Sequence, residues 1–314
     1  MSNQDYYIPH GTYWPVIGSI GISTTFVGFA NLMHDVSWGA PVMGLGLTIL
    51  VFMLFGWFGT VVNESISGTY NKQVDRTFRW GMSWFIFSEV MFFAAFFGAL
   101  FYVRVFANSW LGGEAAVGWF DDAPTDAAAA NNDILWPGYQ AEWPVMVTPD
   151  QAANGDAAQF KGPEQNMNFP GWSNLLSWLP LWNTIVLMTS SVTVHIAHTA
   201  LKNDNRKKFN TWLGITVALG IFFLFLQAEE YVHAYQHMGL TLETGIYGTT
   251  FFLLTGFHGA HVTLGTCMLL VQWLRGLKGH FSHEDQFGFE ASSWYWHFVD
   301  VVWVGLFLFV YVLA

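Results

Sequence analysis

The chain has 314 residues, 53% of them hydrophobic and 11% charged, where an ordinary soluble domain carries about 25% charged residues. That composition excludes a water-soluble globular fold, and the 30 Phe and 17 Trp suit a bilayer boundary as well as a packed interior. The formal net charge of −11 would suit a basic partner, but in a membrane protein charge has to be read loop by loop.

The start, MSNQDYYIPHGTYWPV, has no basic leader and no apolar core before residue 15, so no cleavable signal peptide is expected and the first hydrophobic stretch should remain as an anchor. A spanning helix needs about 20 mainly apolar residues at about 1.5 Å rise each. Seven segments meet that need, near 15–34, 40–63, 80–107, 181–201, 210–235, 247–273 and 291–314.

Span three carries Glu89 within FSEVMFFAAFF, nine residues in from residue 80 and so about 14 Å from the inner end. An ionisable side chain at that depth is paired, protonated or functional. Three readings are open: a protonated acid donating to a neighbouring helix, a member of a proton relay, or a partner of a buried cation. Arg104, about four turns along the same helix, is out of reach.

The connection from about 108 to 179 contains nine Asp or Glu, an alanine tract at 127–130 and repeated Pro and Gly. It lacks the aliphatic residues for a separate core. Trp136, Pro137, Trp143 and Pro144 argue for parts ordered against a surface, and DDAPTDAAAANND for a mobile stretch.

Span four holds His195 and His198, and span six holds His258 and His261, each pair at i, i+3. Such imidazoles would serve a metal or a haem, or would hydrogen-bond across close helix contacts, as the small residues of FHGAHV suggest. In QAEEYVHAYQH, at the end of span five, Glu229, His233 and His237 share a face at i, i+4, i+8, where a zinc site or a polar interfacial cap are the options. Span seven places His297 and Asp300 one turn apart, suited to an intrahelical hydrogen bond. Cys267, the only cysteine, makes neither a disulfide nor a metal cluster.

Nine of the eleven Lys and Arg fall on one side of the membrane: Lys72, Arg76 and Arg79 after span two, Lys202, Arg206, Lys207 and Lys208 after span four, and Arg275 and Lys278 after span six. Cytoplasmic loops are enriched in these residues, so the N-terminus is expected in the cytoplasm and the C-terminus outside, with Lys161 and the end of Arg104 on the outer face. At the inner ends of the spans, Trp57, Glu64, Arg79, Arg275, Lys278 and His280 offer cations and interfacial aromatics to phospholipid headgroups. The plain alternative is ordinary positive-inside flanking. No repeat, phosphate loop, dinucleotide fingerprint or nucleic-acid motif stands out, so no nucleic-acid partner is expected.

In order, the chain carries WPVIGS, RWGMSWFIFSEVMFF, NTIVLMTSSVTVHIAH, LQAEEY, GIYGTTFFLLTGFHGAHV and HFSHEDQFGFEASSWYWHFVDVVW. With these segments it resembles subunit III of the haem-copper cytochrome c oxidases, over nearly all of the chain except about 108–175. The resemblance implies an all-α membrane protein of seven transmembrane helices. A two-helix bundle of spans 1–2 (residues 1–79) and a five-helix bundle of spans 3–7 (residues 80–314) would be separated by a V-shaped lipid cleft.

It implies bound phospholipids and no catalytic, cofactor or metal residues in this chain, with haem a and copper expected in partner subunits. Direct contact is implied with catalytic subunit I, subunit II lies in the same complex, and cytochrome c is the substrate of the whole. Family members help keep proton uptake and turnover stable and are proposed to guide oxygen through the cleft. Glu89 matches the family's carbodiimide-reactive buried glutamate, Trp57 and Glu64 match cleft-lining positions, and Arg275 matches the arginine after span six.

The chain departs from mitochondrial members, with Gly59 and Asn63 in place of arginines and Tyr70 and Gln286 in place of histidines, which bears on which lipids bind. The long acidic loop suggests a bacterial version in the inner membrane, and its charge would attract a basic cytochrome c. Two other readings stay open from the residues alone: a di-haem b-type cytochrome using His195, His198, His258 and His261, and a proton-coupled transporter using Glu89 and Asp300.

Overall fold

The structure, a computed structural model, describes residues 11–113, 132–281 and 286–313. The first ten residues, and all but the last two of DDAPTDAAAANND, lie outside them. Among the described residues the regular elements are all helices, and seven of them are long and apolar enough to cross a membrane, as the hydropathy of the sequence requires. We number them α1 (Trp14–Met33), α2 (Gly39–Ile66), α3 (Lys72–Tyr102), α4 (Leu179–Lys202), α5 (Arg206–His237), α6 (Gly245–Leu277) and α7 (Phe287–Leu306). A π-helical turn, Val103–Ala107, extends α3 into Asn108–Leu111, and another, Phe307–Val312, extends α7.

Several helices reach beyond the apolar stretch that announces them. The apolar run of span three begins near residue 80, yet α3 begins at Lys72, because Asn71 Oδ1 accepts the otherwise orphaned amides of Gln73 (3.0 Å) and Val74 (2.9 Å). Asn205 caps α5 in the same way, accepting from Lys208 N at 3.1 Å.

The chain divides into two compact units, residues 1–81 and 82–314. In the first, α1 and α2 form an antiparallel hairpin whose backbones meet through glycine. A Cβ on Gly28 would lie 2.1 Å from Met43 N, and one on Gly46 would lie 2.4 Å from Thr25 N. Helices in lipid gain little from burying apolar surface, so such close packing replaces the hydrophobic drive. Trp14 Nε1 donates to Thr60 Oγ1 (3.2 Å) across the pair, while Phe26, Phe52 and Phe55 stay exposed for lipid.

In the second unit, α4, α5, α6 and α7 close into a ring in which α4 packs on α5, α5 on α6, α6 on α7 and α7 on α4, with α7 the most enclosed of the spans. Its Trp296 and Trp303 are fully buried. Trp296 Nε1 donates to Ser190 Oγ (2.9 Å) and Trp303 Nε1 to Thr184 Oγ1 (3.0 Å), while Gly265 leaves room for the Trp296 ring. Each indole N–H therefore has a partner inside the wall it fills, which is what a buried Trp requires. Phe93 of α3 is buried in the same core.

The connection before α4 lies on the ends of this bundle. Glu164 N and Gln165 N both donate to Met238 O (3.1 Å each), Met167 N to Tyr247 OH (3.1 Å) and Phe169 N to Tyr311 O (3.0 Å). Trp136 and Trp143 pack against the core, and Arg104 stands over the Trp143 ring at 5.9 Å. Asn108 Nδ2 donates to Glu142 O (3.1 Å), and Tyr139 OH donates to Asn108 Oδ1. Burial pushes the Tyr139 phenol up to about 12, so it stays a donor.

Candidate functional site

Glu89 lies on the α3 face turned to α6, with its carboxylate Oε2 2.9 Å from His261 Nε2. His261 Nδ1 is 2.6 Å from the carbonyl oxygen of Phe257, one turn earlier on α6. A carbonyl only accepts, so Nδ1 carries a hydrogen and donates it. Nε2 is then bare if the ring is neutral, and Glu89 must be protonated to donate to it. If Nε2 also carries a hydrogen, the ring is an imidazolium facing a carboxylate. In either form one proton lies between the two side chains, and the pair has no net charge.

The walls are aromatic. The His261 ring lies 4.9 Å from Phe93, 5.8 Å from Phe92 and 6.4 Å from Phe298, and is nearly parallel to Tyr295 at 6.3 Å. Both side chains are mostly covered, 22% exposed for Glu89 and 14% for His261. A lone carboxylate among such rings would be costly, and sharing a proton with His261 removes that cost.

The sequence left the cation-partner reading of Glu89 without a candidate, because Arg104 was the only basic residue weighed. His261 fills the place, and its depth was available. Glu89 is 17 residues past Lys72 at the start of α3, and His261 is 16 before Leu277 at the end of α6, each about 25 Å along its helix.

The other buried imidazoles part company. His258, one turn from His261, is wholly buried on another face, its ring 5.9 Å from Phe223 and 5.0 Å from Trp303. The two therefore do not face a common ligand. His195 is exposed, whereas His198 is partly buried, 5.6 Å from the Phe289 ring and 3.8 Å from Glu290 Oε1. His297 Nδ1 meets Ser191 Oγ of α4 at 2.9 Å, and Asp300 Oδ2 is further away at 3.5 Å. His297 therefore keeps Asp300 in ion-pair range within α7 and makes its closer contact across to α4. Among the described residues no three His, Cys, Asp or Glu side chains are arranged to hold a metal ion.

One buried acid escaped the sequence reading. Glu230 is 1% exposed and accepts from Tyr311 OH (2.6 Å) and Asn183 Nδ2 (3.2 Å), tying α5 to α4 and to the end of α7. Glu229, which the sequence reading singled out as a zinc-site or interfacial-cap residue, is exposed. The signal was periodic: Phe223, Gln227, Glu230 and Ala234 form the buried stripe of α5.

The residues that the sequence reading places at the inner face fall in both units. In the first, Trp57 is 42% exposed, Glu64 Oε2 accepts from Tyr70 OH at 2.6 Å, and Arg79 Nε pairs with Asp75 Oδ2 at 2.9 Å. In the second, the Arg275 guanidinium stands 4.7 Å over the Phe281 ring and donates to Gln272 Oε1 at 3.1 Å, and His280 N donates to Arg275 O.

Comparison with known proteins agrees with the segment order. Residues 4–135 and 175–314 match the family model described as cytochrome c oxidase subunit III. The chain is 36% identical to cytochrome c oxidase subunit 3 of Drosophila melanogaster over 311 residues, 99% of this chain and 97% of the relative. It is 34% identical to the subunit of Anopheles gambiae over the same shares. It is also 34% identical to that of Equus caballus, over 98% of this chain and 96% of the relative. The stretch that the family model skips, 136–174, lies within the connection before α4.

Proposed function

Because the chain belongs to the cytochrome c oxidase subunit III family, we propose that it serves its oxidase as an accessory scaffold that binds structural phospholipids beside the catalytic subunit and steadies that subunit's proton uptake. Haem a and copper, and with them electron transfer from cytochrome c to oxygen, belong to subunits I and II in this reading. Direct contact is with subunit I. Trp57, Glu64 and Arg79 in one unit, and Arg275 and His280 in the other, receive lipid headgroups in this reading, through cations and aromatic faces at the membrane boundary. Oxygen passing along those lipids is part of the same reading. The membrane is the bacterial inner membrane, with the N-terminus cytoplasmic.

The observation that carries the reading is that three of the polar pairs inside the spans join helices. Glu89 with His261, Ser191 with His297, and Glu230 with Tyr311 each bridge two elements. A di-haem cytochrome would need His258 and His261 free to reach iron, whereas one is enclosed by Phe223 and Trp303 and the other is held by Glu89.

The test is purification of a tagged copy in mild detergent. A haem-bearing partner and phospholipid are expected to come with it, and the chain stripped of partners should show no Soret band. Recovery of the chain alone, or a haem spectrum of its own, would overturn the reading.

A further inference from the structure

The last turn of α5 carries two imidazoles that the scaffold does not use. His233 and His237 are both exposed, their ring centroids are 5.2 Å apart, and neither has a hydrogen-bond partner among the described residues. Histidines at i and i+4 on a helix present two nitrogens to one ion, which is the ligand spacing of helical zinc sites. We propose that His233 and His237 chelate a divalent transition metal ion of the zinc and copper kind at the C-terminal end of α5.

Three features favour this over a merely polar end. The backbone beneath the pair is fixed, since Ala234 O accepts from Met238 N (3.3 Å) and Leu240 N (3.1 Å), and Met238 O accepts from Glu164 N and Gln165 N. Little order is then lost when a metal fixes the rings. The carbonyl end of a helix carries partial negative charge, which favours a cation. The surrounding charge has the same sign, with Glu229 and Glu243 exposed nearby in the chain and Glu164 exposed where its N–H meets Met238 O.

Among the described residues no third ligand joins the pair, so water would complete the coordination. Imidazole nitrogen suits Cu²⁺ and Zn²⁺, with Cu²⁺ the tighter. Mg²⁺ and Ca²⁺, which prefer oxygen ligands, are not expected to compete.

The test uses the full chain without a polyhistidine tag, in detergent, titrated with Cu²⁺ and separately with Zn²⁺. One equivalent of Cu²⁺ is expected, with an electron paramagnetic resonance spectrum showing two nitrogen ligands, and Zn²⁺ should displace it at higher concentration. Either single change, His233→Asn or His237→Asn, removes the chelate and should weaken binding about a hundredfold. The double variant should abolish it, and His34→Asn, an exposed histidine on the turn after α1, should leave it intact. Both target rings are exposed, so circular dichroism should report an unchanged helix content in the variants. Uptake that survives in the double variant, falls with His34→Asn, or stays below one equivalent in the parent would overturn the proposal.

Discussion

A proton shared between Glu89 and His261 makes each side chain dependent on the other. Glu89→Ala strands His261 Nε2 among aromatic rings, and His261→Ala strands the carboxyl, so each should cost about 1–3 kcal/mol as a polar group without its partner. Removing both leaves no orphan. The double variant should therefore cost less than the sum, with a coupling energy on the order of 1 kcal/mol, read from thermal unfolding of the solubilised complex. Glu89→Gln should lie close to the parent, because an amide N–H can donate to the bare Nε2. Strict additivity would mean that the pair is not coupled. A second residue, on the outer connection, predicts a pH response. Phe160 N donates to Asp150 Oδ2 at 2.9 Å, and that bond, helped by Asn154, holds the Asp150 carboxyl below its usual range. A lowered folded value means that the ionised form is favoured by folding, so the contribution is complete above about pH 4 and is lost as pH falls through the lowered value. The protection of the Phe160 amide against hydrogen exchange, taken relative to the intrinsic rate at each pH, should fall over that acid interval, and Asp150→Asn should remove that fall. At this scale the sequence was legible where one residue broke a pattern by itself, as Glu89 does within its apolar run. His261 was hidden because its role depends on a residue 172 positions away, and Glu230 because the more visible Glu229 stood beside it.

The seven helices were legible for a simple reason: lipid leaves the backbone no partner but itself, so every long apolar run must be a helix. Their ends were less so, since the caps at Asn71 and Asn205 obey local hydrogen bonding rather than hydropathy. The route of the outer connection was not legible, because contacts such as Met167 N to Tyr247 OH and Phe169 N to Tyr311 O join residues with no shared period. The α1–α2 hairpin shows how strongly an element pair in lipid rests on small residues. At Gly28 an added methyl meets the Met43 backbone, which cannot swing aside as a flexible side chain does. Gly28→Ala should therefore destabilise the hairpin by about 1–3 kcal/mol, the usual cost of overpacking. Gly44, on α2, has nothing within 4 Å of the same methyl. There the better helix propensity of alanine should prevail and stabilise by about 0.5–1 kcal/mol. Protease susceptibility of the 34–38 turn in the assembled complex should rise in the first variant and hold or fall in the second. Equal behaviour of the two would show that the close approach is not what holds the pair.

For the molecule as a whole, seven spans put the two ends of the chain on opposite sides of the membrane, and the cations decide which side is which. Nine Lys and Arg lie at the ends where α2 meets α3, α4 meets α5 and α6 meets α7, while Lys161 lies on the opposite connection. The acidic residues concentrate with Lys161, but they carry little weight, because retention of Lys and Arg sets orientation and Asp and Glu contribute weakly. The expected topology thus rests on four loops agreeing. In a Cys267→Ser background, single cysteines at Lys207 and at Lys161, both exposed positions, distinguish the two orientations. A membrane-impermeant maleimide should label the Lys161 site in right-side-out vesicles and the Lys207 site only in inverted ones. Labelling of the Lys161 site in right-side-out vesicles would put the acidic connection on the outer surface, where the proposed function has a basic electron donor approach. Neutralising its acidic residues should then slow association at low ionic strength and change little at high salt, where the screening length falls to about 3 Å at 1 M. Reversed labelling would turn the acidic connection toward the cytoplasm and remove the basis for that steering, so the vesicle measurement comes before any kinetic one.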